Sequence, residues 1–273
     1  MESAASPAPA ADAEAHIVVK DLTLAFGDFV LMRDLNFTVR RGSVFVIMGG
    51  SGCGKSVLLR HMLGLLEPAR GEVLYNGRSF TGAGPAGRDE MLRRVGILYQ
   101  RNALWSSMTL AENVALPLRE YTKLSPAEIG EVVALKLALV GLRGFEDFTP
   151  SQISGGMQKR AALARAMALD PEVLFFDEPS SGLDPITARR MDDLMLEVRA
   201  DLGTTLVVVS HDLASILAIG DDSILLDAEA RTAIAAGSPR DLLAHSEDPR
   251  VRRFLTRGAE GRPPDEAGPD GGA

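Results

Sequence analysis

The sequence predicts an α/β fold with a parallel sheet as its core, and three observations support this prediction. Apolar runs with the length of buried strands recur along the chain and end at glycine or polar residues. The run at 44–48 leads through a glycine-rich segment into residues with the apolar spacing of a helix. From about 109 to 169 the chain has mainly helical character, and strand-like runs then return. An α/β core with a helical insertion is the economical interpretation.

The first hundred residues are predicted to be mostly strands. Residues 17–25 and 35–39 alternate between apolar and polar side chains, which indicates strands with one exposed face. A third strand is predicted at 72–75, and Asn76-Gly77 directly after it favours a tight turn. A fourth is predicted at 95–99.

The later elements follow from a helix cap and from apolar runs. A helix is predicted to begin after Ser125, because serine is a favoured N-cap, proline suits the first helical position and Glu128 is an acid at the third. Strands are then predicted at 173–176, 205–209 and 223–226.

Composition limits the classes of function. The chain has 273 residues, 46% of them hydrophobic, which is enough for one substantial core or two small ones. A net charge of −8 and the lack of a basic stripe argue against nucleic acid as a partner. The single cysteine, Cys53, excludes a disulfide framework and fits a reducing compartment. No apolar run reaches the roughly 18 residues that a membrane span needs, so we expect a cytoplasmic protein.

One folded domain is expected between two tails. The domain is predicted to span 16–257, with the helical insertion at about 102–165. Residues 1–15 are rich in alanine and proline with some acids, and 258–273 in glycine, proline and acids. Both tails are therefore predicted to be disordered.

The segment after the strand at 44–48 matches the phosphate-binding pattern G-x-x-x-x-G-K-[ST]. Glycines let the backbone wrap closely around phosphate oxygens, and the amides at the start of the next helix face the anion. Lys55 would add positive charge at the β- and γ-phosphates, and the Ser56 hydroxyl can ligate Mg²⁺. The predicted nucleotide-binding residues here are Gly49, Gly50, Ser51, Gly52, Cys53, Gly54, Lys55, Ser56 and Val57.

An acid pair follows the apolar run at 173–176. Ligands of open α/β sheets bind at the carboxyl ends of the strands, so Asp177 and Glu178 are expected at the site. Asp177, the acid nearer the core, can hold Mg²⁺, and Glu178 can accept a proton from an attacking water.

A second glycine cluster, Ser154-Gly155-Gly156, precedes a helical run that begins at Met157. Serine is a favoured N-cap, and glycines leave a helix N-terminus open to an anion. An ordinary helix cap is the alternative. Two phosphate-ready segments accompany a single acid pair, and the residues alone do not explain the second one.

Together these motifs resemble those of ABC-type ATPases over about residues 17–257. Residues 153–157 resemble the signature motif of that family, about 21 residues ahead of 175–179. Gln100 matches its glutamine loop and His211 its switch histidine. Two further matches are residues 181–184, which resemble the D-loop, and Phe26, which lies where the family has an aromatic residue that stacks on adenine.

The resemblance implies a fold and an activity. The fold would be a RecA-like P-loop NTPase core with an antiparallel β N-terminal subdomain and an inserted α-helical subdomain. The activity would be ATP hydrolysis with Mg²⁺. The implied catalytic residues are Lys55, Gln100, Glu178 and His211, and the implied metal ligands are Ser56, Gln100 and Asp177. Further implied ATP contacts are Phe26, Ser154, Gly155, Gly156, Met157 and Asp184.

The resemblance also explains the second glycine cluster. It implies a head-to-tail dimer in which each ATP lies between residues 49–56 of one subunit and 154–157 of the other. ATP would then favour the closed dimer, because only that state offers both halves of the site. Closing and opening would drive membrane subunits through a coupling helix docked near Gln100 and the segment after it.

Within the family, the chain looks like the ATPase of Mla/Mce-type lipid transporters. These systems move phospholipids or related hydrophobic molecules between membranes. Met157 stands where most ABC families have glutamine, and it makes the implied contact less polar. The resemblance rests on residues 100–109, 112–120, 155–157, 184–187 and 248–255.

The implied partners are a second copy of the chain, integral membrane permease subunits and an Mce-domain lipid-binding protein, with room for a small regulatory subunit. The implied location is the cytoplasmic face of the inner membrane, held there by the permease. Trp105 would pack under a partner's coupling helix or in the core of the helical part. Residues 248–255 would contact the neighbouring subunit or pack on their own domain.

Two alternatives for the function stay open. The same enzyme could serve an importer of amino acids or an extractor of lipoproteins. A protein of another class would be a soluble ABC-type switch that remodels a protein complex. The segment at 100–120 favours a membrane partner over that switch.

Overall fold

The computed structural model describes residues 15–256, which form two sheets and an inserted group of helices. The predicted tail at 258–273 and residues 1–14 lie outside the described residues. The strands are β1 Ala15–Phe26, β2 Phe29–Arg40, β3 Val44–Gly49, β4 Arg70–Tyr75, β5 Arg78–Ser79, β6 Val95–Leu98, β7 Val173–Asp177, β8 Thr205–Ser210, β9 Asp222–Asp227 and β10 Thr232–Gly237. The helices are α1 Lys55–Met62, α2 Pro85–Leu92, α3 Leu110–Tyr121, α4 Pro126–Leu139, α5 Gly155–Ala166, α6 Pro185–Leu202, α7 Leu213–Ile219, α8 Pro239–His245 and α9 Pro249–Leu255.

The core is a six-stranded sheet in the order β10-β9-β3-β8-β7-β6. Its strands are parallel except for the edge strand β10, which is antiparallel to β9. Every residue of β3, β7 and β8 is buried, because both faces of this sheet are covered. Near-continuous apolar strands are therefore stable here, as the runs at 44–48 and 173–176 predicted.

The two faces of the core sheet belong to two different apolar cores. Along β3, Val44, Val46 and Met48 pack with the inserted helices, whereas Phe45 and Ile47 pack with the N-terminal sheet and α1. Side chains alternate across a strand, so one strand joins both cores. The sequence was compatible with one core or with two, and residues 15–256 form two.

The second sheet is antiparallel, in the order β2-β1-β4-β5. The turn between β4 and β5 has left-handed Asn76 (φ 50°) and Gly77 (φ 73°), which is the conformation that Asn-Gly favours in hairpins. This confirms the predicted tight turn. Buried His16 of β1 connects this sheet to the core, because its Nδ1 lies 2.6 Å from Thr205 Oγ1 of β8.

The inserted helices are α3, α4 and α5, and they lie in the region where helices were predicted. The predicted cap of α4 is also confirmed: the Ser125 hydroxyl accepts the Glu128 amide, and the Glu128 carboxylate accepts the Ser125 amide. The insertion carries its own apolar side chains into the core on the α6 side of the sheet.

Several element bounds differ from the prediction. Strand β1 begins at Ala15, one residue inside the predicted tail, and α5 continues to Ala166. The C-terminal helix α9 buries Val251 and Leu255 in its own domain, which supports the second alternative for residues 248–255. Among residues 15–256, no helix combines the length and apolar character that a bilayer span requires.

Candidate nucleotide-binding site

Three of the predicted functional segments meet at the carboxyl edge of the core sheet. Strand β3 ends at Gly49 beside the end of β8, where Met48 pairs with Ser210. On the other side of β8, Asp177 at the end of β7 pairs with Val209. The glycine loop, the acid pair and the segment leading to His211 therefore leave three neighbouring strands at one edge. This is the position at which open α/β sheets bind their ligands.

The loop between β3 and α1 has a conformation that requires glycine. Gly49, Gly52 and Gly54 have φ values of 154°, 76° and 99°. A Cβ on Gly49 would lie 2.5 Å from Cys53 Sγ and 2.7 Å from the Leu226 carbonyl oxygen. The Cys53 side chain is buried beneath the loop, so only its backbone can face a ligand.

Helix α1 starts without a side-chain cap. Its N-cap residue is left-handed Gly54, and the first turn contains no acidic residue. The first amides of a helix have no partner within the helix, so those at the start of α1 can donate to an anion. A backbone cradle in front of an uncapped helix fits a phosphate group.

Lys55 holds its charge inside this cradle. Its buried Nζ donates to the carbonyl oxygens of Gly49 (3.0 Å) and Gly50 (2.9 Å). The same Nζ lies 4.0 Å from Glu178 Oε1. One ammonium group thus connects the loop with the acid pair of β7.

Ser56 and Asp177 are joined directly. The Ser56 hydroxyl donates to Asp177 Oδ1 at 2.8 Å, and Asp177 is buried. A hydroxyl and a carboxylate are hard oxygen donors of the kind that Mg²⁺ prefers. No group of three or more His, Cys, Asp or Glu within the described chain could hold a metal by itself. Such a donor set suits Mg²⁺ sites in which substrate phosphates and water supply the other ligands.

Gln100 is not joined to this pair. It follows β6 on an exposed loop, and none of the hydrogen bonds found in residues 15–256 links its side chain to Ser56 or Asp177. Its predicted place among the metal ligands therefore remains a prediction.

Glu178 has an unusual backbone and lies beside His211. It is left-handed (φ 54°), and its amide donates to the Val209 carbonyl at 2.9 Å. Strained backbone of this kind is concentrated at functional sites. Its carboxylate is only 10% exposed, and Oε2 lies 2.7 Å from His211 Nδ1, while the histidine side chain is 62% exposed. The structure thus pairs the predicted base with the predicted switch histidine.

Lys159 is a residue of this site that the sequence did not indicate. It lies on α5, it is buried, and its Nζ donates to the Glu178 carbonyl at 3.3 Å. Burial lowers the pKa of Lys159, and the charge of Glu178 opposes this shift. A lysine within a helical run has no sequence signal that separates this position from a solvent-exposed one.

The Ser154 segment opens onto a different surface from the phosphate loop. Ser154 caps α5, since its hydroxyl accepts the Met157 amide at 3.2 Å. Ser154, Gly156 and Met157 line a groove with residues of α4 and α6, whereas Gly50 and Ser51 line a separate groove with residues of β9 and α9. Gly155 is exposed. Within residues 15–256, the two glycine clusters thus line separate grooves.

Asp184 serves as a helix cap. Its Oδ1 accepts the amides of Ile186 (3.0 Å) and Thr187 (3.1 Å) at the start of α6, and its Oδ2 accepts the Thr187 hydroxyl. These hydrogen bonds, led by the one from the Thr187 side chain, lower the pKa of Asp184. Any contact with nucleotide would be additional to this role.

Phe26 belongs to a hairpin that flanks the phosphate loop. It ends β1 and is 51% exposed, and Leu31 and Met32 of the same hairpin lie against Gly54. The register of the hairpin pairs Phe26 with Phe29, an equally exposed aromatic residue that the prediction missed. The Arg231 guanidinium lies 5.2 Å from the centroid of the Phe29 ring.

Comparisons with known proteins agree with this geometry. Residues 32–181 match a family model described as ABC transporter. The chain is 41% identical over 247 residues to the intermembrane phospholipid transport system ATP-binding protein MlaF of Escherichia coli K12, covering 90% of each chain. It is 40% identical over 239 residues to the probable ribonucleotide transport ATP-binding protein mkl of Mycobacterium tuberculosis H37Rv. That match covers 88% of this chain and 66% of mkl, so the chain spans just under two thirds of that relative.

A solved structure has the same fold. It is a dimeric post-hydrolysis state of the ATP-binding cassette MJ0796 bound to ADP and Pi, with a TM-score of 0.73 and 28% identity. The match covers 81% of this chain and 97% of that one. The observed fold is thus the predicted one, a nucleotide-binding core with an antiparallel N-terminal sheet and inserted helices.

Proposed function

Because this chain belongs to the ABC transporter family, we propose that it is an ATP-hydrolysing subunit that powers the transport of phospholipids or related hydrophobic molecules between membranes. The proposed ATPase activity is supported by one observation: the phosphate loop, Asp177 and Glu178 lie together at one edge of the sheet. The proposed cargo is supported by the 41% identity to MlaF across 90% of both chains.

The chemistry follows from the side chains at this edge. Phosphate oxygens bound in the loop would replace the carbonyl oxygens of Gly49 and Gly50 as hydrogen-bond acceptors of the Lys55 ammonium. Ser56 and Asp177 would hold Mg²⁺, which when bound neutralises charge on the phosphates. Glu178 would accept the proton of the water that attacks the γ-phosphorus, and the bond to the bridging oxygen of ADP would break. His211, 2.7 Å away, keeps the Glu178 carboxylate in place.

The active unit is proposed to be a head-to-tail dimer. Within one chain the Ser154 segment and the phosphate loop open onto different grooves, so the segment's capped helix start and exposed glycine are free to meet another subunit. The related cassette MJ0796 has been solved as a dimer. In that arrangement Ser154, Gly155, Gly156 and Met157 would complete the γ-phosphate site of the partner, with Asp184 nearby and Phe26 stacked on adenine.

The membrane partner is proposed to dock beside the glutamine loop. Leu92, Tyr99, Leu116 and Tyr121 line a groove of about 550 Å³ with a mainly apolar wall. Trp105 lies six residues after Tyr99, which lines the groove, and its side chain is 58% exposed. Trp105 is therefore not a core residue of the helical part, which was one of its two predicted positions. The proposed assembly contains permease subunits and an Mce-domain protein, has room for a small regulatory subunit, and holds the chain at the cytoplasmic face of the inner membrane.

Co-purification from the native cell tests the cargo and the partners. Tagged chain extracted in mild detergent should carry a multispanning permease and an Mce-domain protein, and mass spectrometry should find phospholipid enriched over a detergent-only control. Recovery of a solute-binding protein without lipid would contradict the lipid proposal. The similarity to mkl makes ribonucleotide the second cargo to test, by uptake of labelled nucleotide in cells that lack this chain.

A further inference from the structure

We propose that Arg165, on helix α5, is a positioning residue. It holds the glutamine loop, which is the segment between β6 and α3, and thereby sets the position of Gln100. This inference rests on the proposed function, since it gives Gln100 a task at the ATP site. The loop between β6 and α3 contains the relevant contacts, and each of them lies within the described residues.

The loop has a conformation that its residues do not favour. Asn102 (φ 61°) and Ala103 (φ 54°) are both left-handed, and neither is glycine. Left-handed backbone is unfavourable for residues with a Cβ, although asparagine tolerates it better than alanine. Of all buried side-chain nitrogen and oxygen atoms in residues 15–256, Asn102 Oδ1 alone has no hydrogen-bond partner. Two backbone hydrogen bonds within the segment support this conformation, from the Asn102 amide to the Tyr99 carbonyl (2.9 Å) and from the Ala103 amide to the Arg101 carbonyl (2.6 Å). Contacts from outside the loop would stabilise it further.

Arg165 supplies those contacts. One terminal nitrogen of its guanidinium donates to the Ala103 carbonyl at 2.6 Å, and the other donates to the Asn102 carbonyl at 3.1 Å. The planar, always charged guanidinium can serve two neighbouring acceptors at once, whereas lysine offers a single point charge. Both carbonyls of the left-handed pair are thus held by one side chain of α5.

A second contact holds the far end of the loop. Asn113 of α3 is fully buried, its Oδ1 accepts the Trp105 amide at 2.8 Å, and its Nδ2 donates to the Trp105 carbonyl at 3.1 Å. The stretch from Asn102 to Trp105 is therefore attached to two inserted helices. Gln100 lies between this stretch and β6, so its position depends on Arg165 at one end and on the sheet at the other.

Arg165 also touches the proposed docking groove. It lines the groove together with Tyr99 and Leu116. A membrane partner in that groove would press on the same side chain that holds the loop. From helix α5, which begins at the Ser154 segment, Arg165 thus contacts both the docking groove and the glutamine loop.

The test compares Arg165→Lys with a matched control on the same helix. Arg160 also donates to two consecutive carbonyls, those of Val140 (2.9 Å) and Gly141 (3.1 Å), but they belong to the end of α4. Without nucleotide, amide hydrogen exchange of the peptide 100–105 should be about tenfold faster in Arg165→Lys and unchanged in Arg160→Lys. Emission of Trp105, the single tryptophan, should shift in Arg165→Lys alone.

Kinetics separate positioning from general damage. Misplacement of a catalytic group by about 1 Å costs on the order of a hundredfold in rate, so kcat should fall by about tenfold to a hundredfold while the KM for ATP changes little. In a Gln100→Ala background, Arg165→Lys should have no further effect, because its route to the site has been removed.

Three results would overturn the proposal. The first is an unchanged rate of amide exchange at 100–105 in Arg165→Lys. The second is a loss of kcat in the double variant that equals the product of the two single losses. The third is failure of both Arg165→Lys and Arg165→Met to fold, because Arg165 would then support the whole domain. Failure of the proposed function is distinguishable. A wild-type chain without ATPase activity would refute that function, while the exchange and fluorescence results would still report whether Arg165 holds the loop.

Discussion

Glu178 shows how one residue is constrained by several elements. Its carboxylate faces His211 and Lys55, its amide donates to Val209, and its carbonyl accepts from Lys159. The left-handed backbone costs on the order of 1–3 kcal/mol, so the surrounding contacts must outweigh it. This arrangement holds the carboxylate at the sheet edge instead of letting it turn to solvent.

Glu178→Gln should therefore remove hydrolysis and keep nucleotide binding. The amide retains the shape of the side chain but cannot accept the proton, and loss of a general base costs about a hundredfold or more in kcat. Phosphate release measures the rate, and binding of a fluorescent ATP analogue measures the affinity. Glu172→Gln, the same change at the opposite end of β7, should hydrolyse ATP at nearly the wild-type rate. Normal turnover by Glu178→Gln would refute the assignment of the base.

At the scale of elements, the strand–loop–helix unit of β3 and α1 was the part most open to prediction. Three of the four glycines in 49–54 are needed for backbone reasons that the sequence pattern already contains, since Gly49, Gly52 and Gly54 have positive φ values. The apolar runs of β3, β7 and β8 were equally clear because these strands are buried on both faces.

Other elements carried no comparable signal. Half of the residues of the edge strand β10 are alanines, and alanine favours helices and is depleted in strands, so the composition of this segment did not indicate a strand. Lys159 and Arg165 occur in an ordinary helical run, and only the tertiary fold directs them to Glu178 and to the glutamine loop. The left-handed pair at 102–103 likewise contains no glycine that would have signalled it.

The geometry of the phosphate loop can be tested by comparing alanine substitutions at two adjacent glycines. Gly49→Ala should abolish most ATP binding, because the new Cβ would clash with the Leu226 carbonyl and the positive φ disfavours alanine. Gly50→Ala should lose much less, since a Cβ there meets nothing within 4 Å. Circular dichroism would check that both variants fold, and isothermal titration with ATP would compare them. Equal losses in the two variants would contradict the role given to the cradle geometry.

At the scale of the whole molecule, the fold separates the two segments that are proposed to form one site. The loop and acids lie at the carboxyl edge of the core sheet, and the Ser154 segment lies at the start of an inserted helix above another groove. Two copies related by a two-fold axis would bring unlike halves together, because in such an isologous pair each loop meets the other copy's Ser154 segment and both sites are completed at once. ATP would then stabilise the pair because it binds the closed state better than the open one.

Mixing two inactive variants tests this arrangement directly. Lys55→Ala removes the loop's charge, and Gly155→Asp places a carboxylate where the partner's γ-phosphate would lie, so each variant alone should be inactive. In a mixed dimer, one site combines both defects and the other combines two intact halves. If subunits pair at random and the sites act independently, an equal mixture should recover about a quarter of the wild-type rate. The rate should fall again when either variant is in large excess, because mixed dimers become rare. An inactive equal mixture, with mixed dimers verified by two different tags, would refute the shared site.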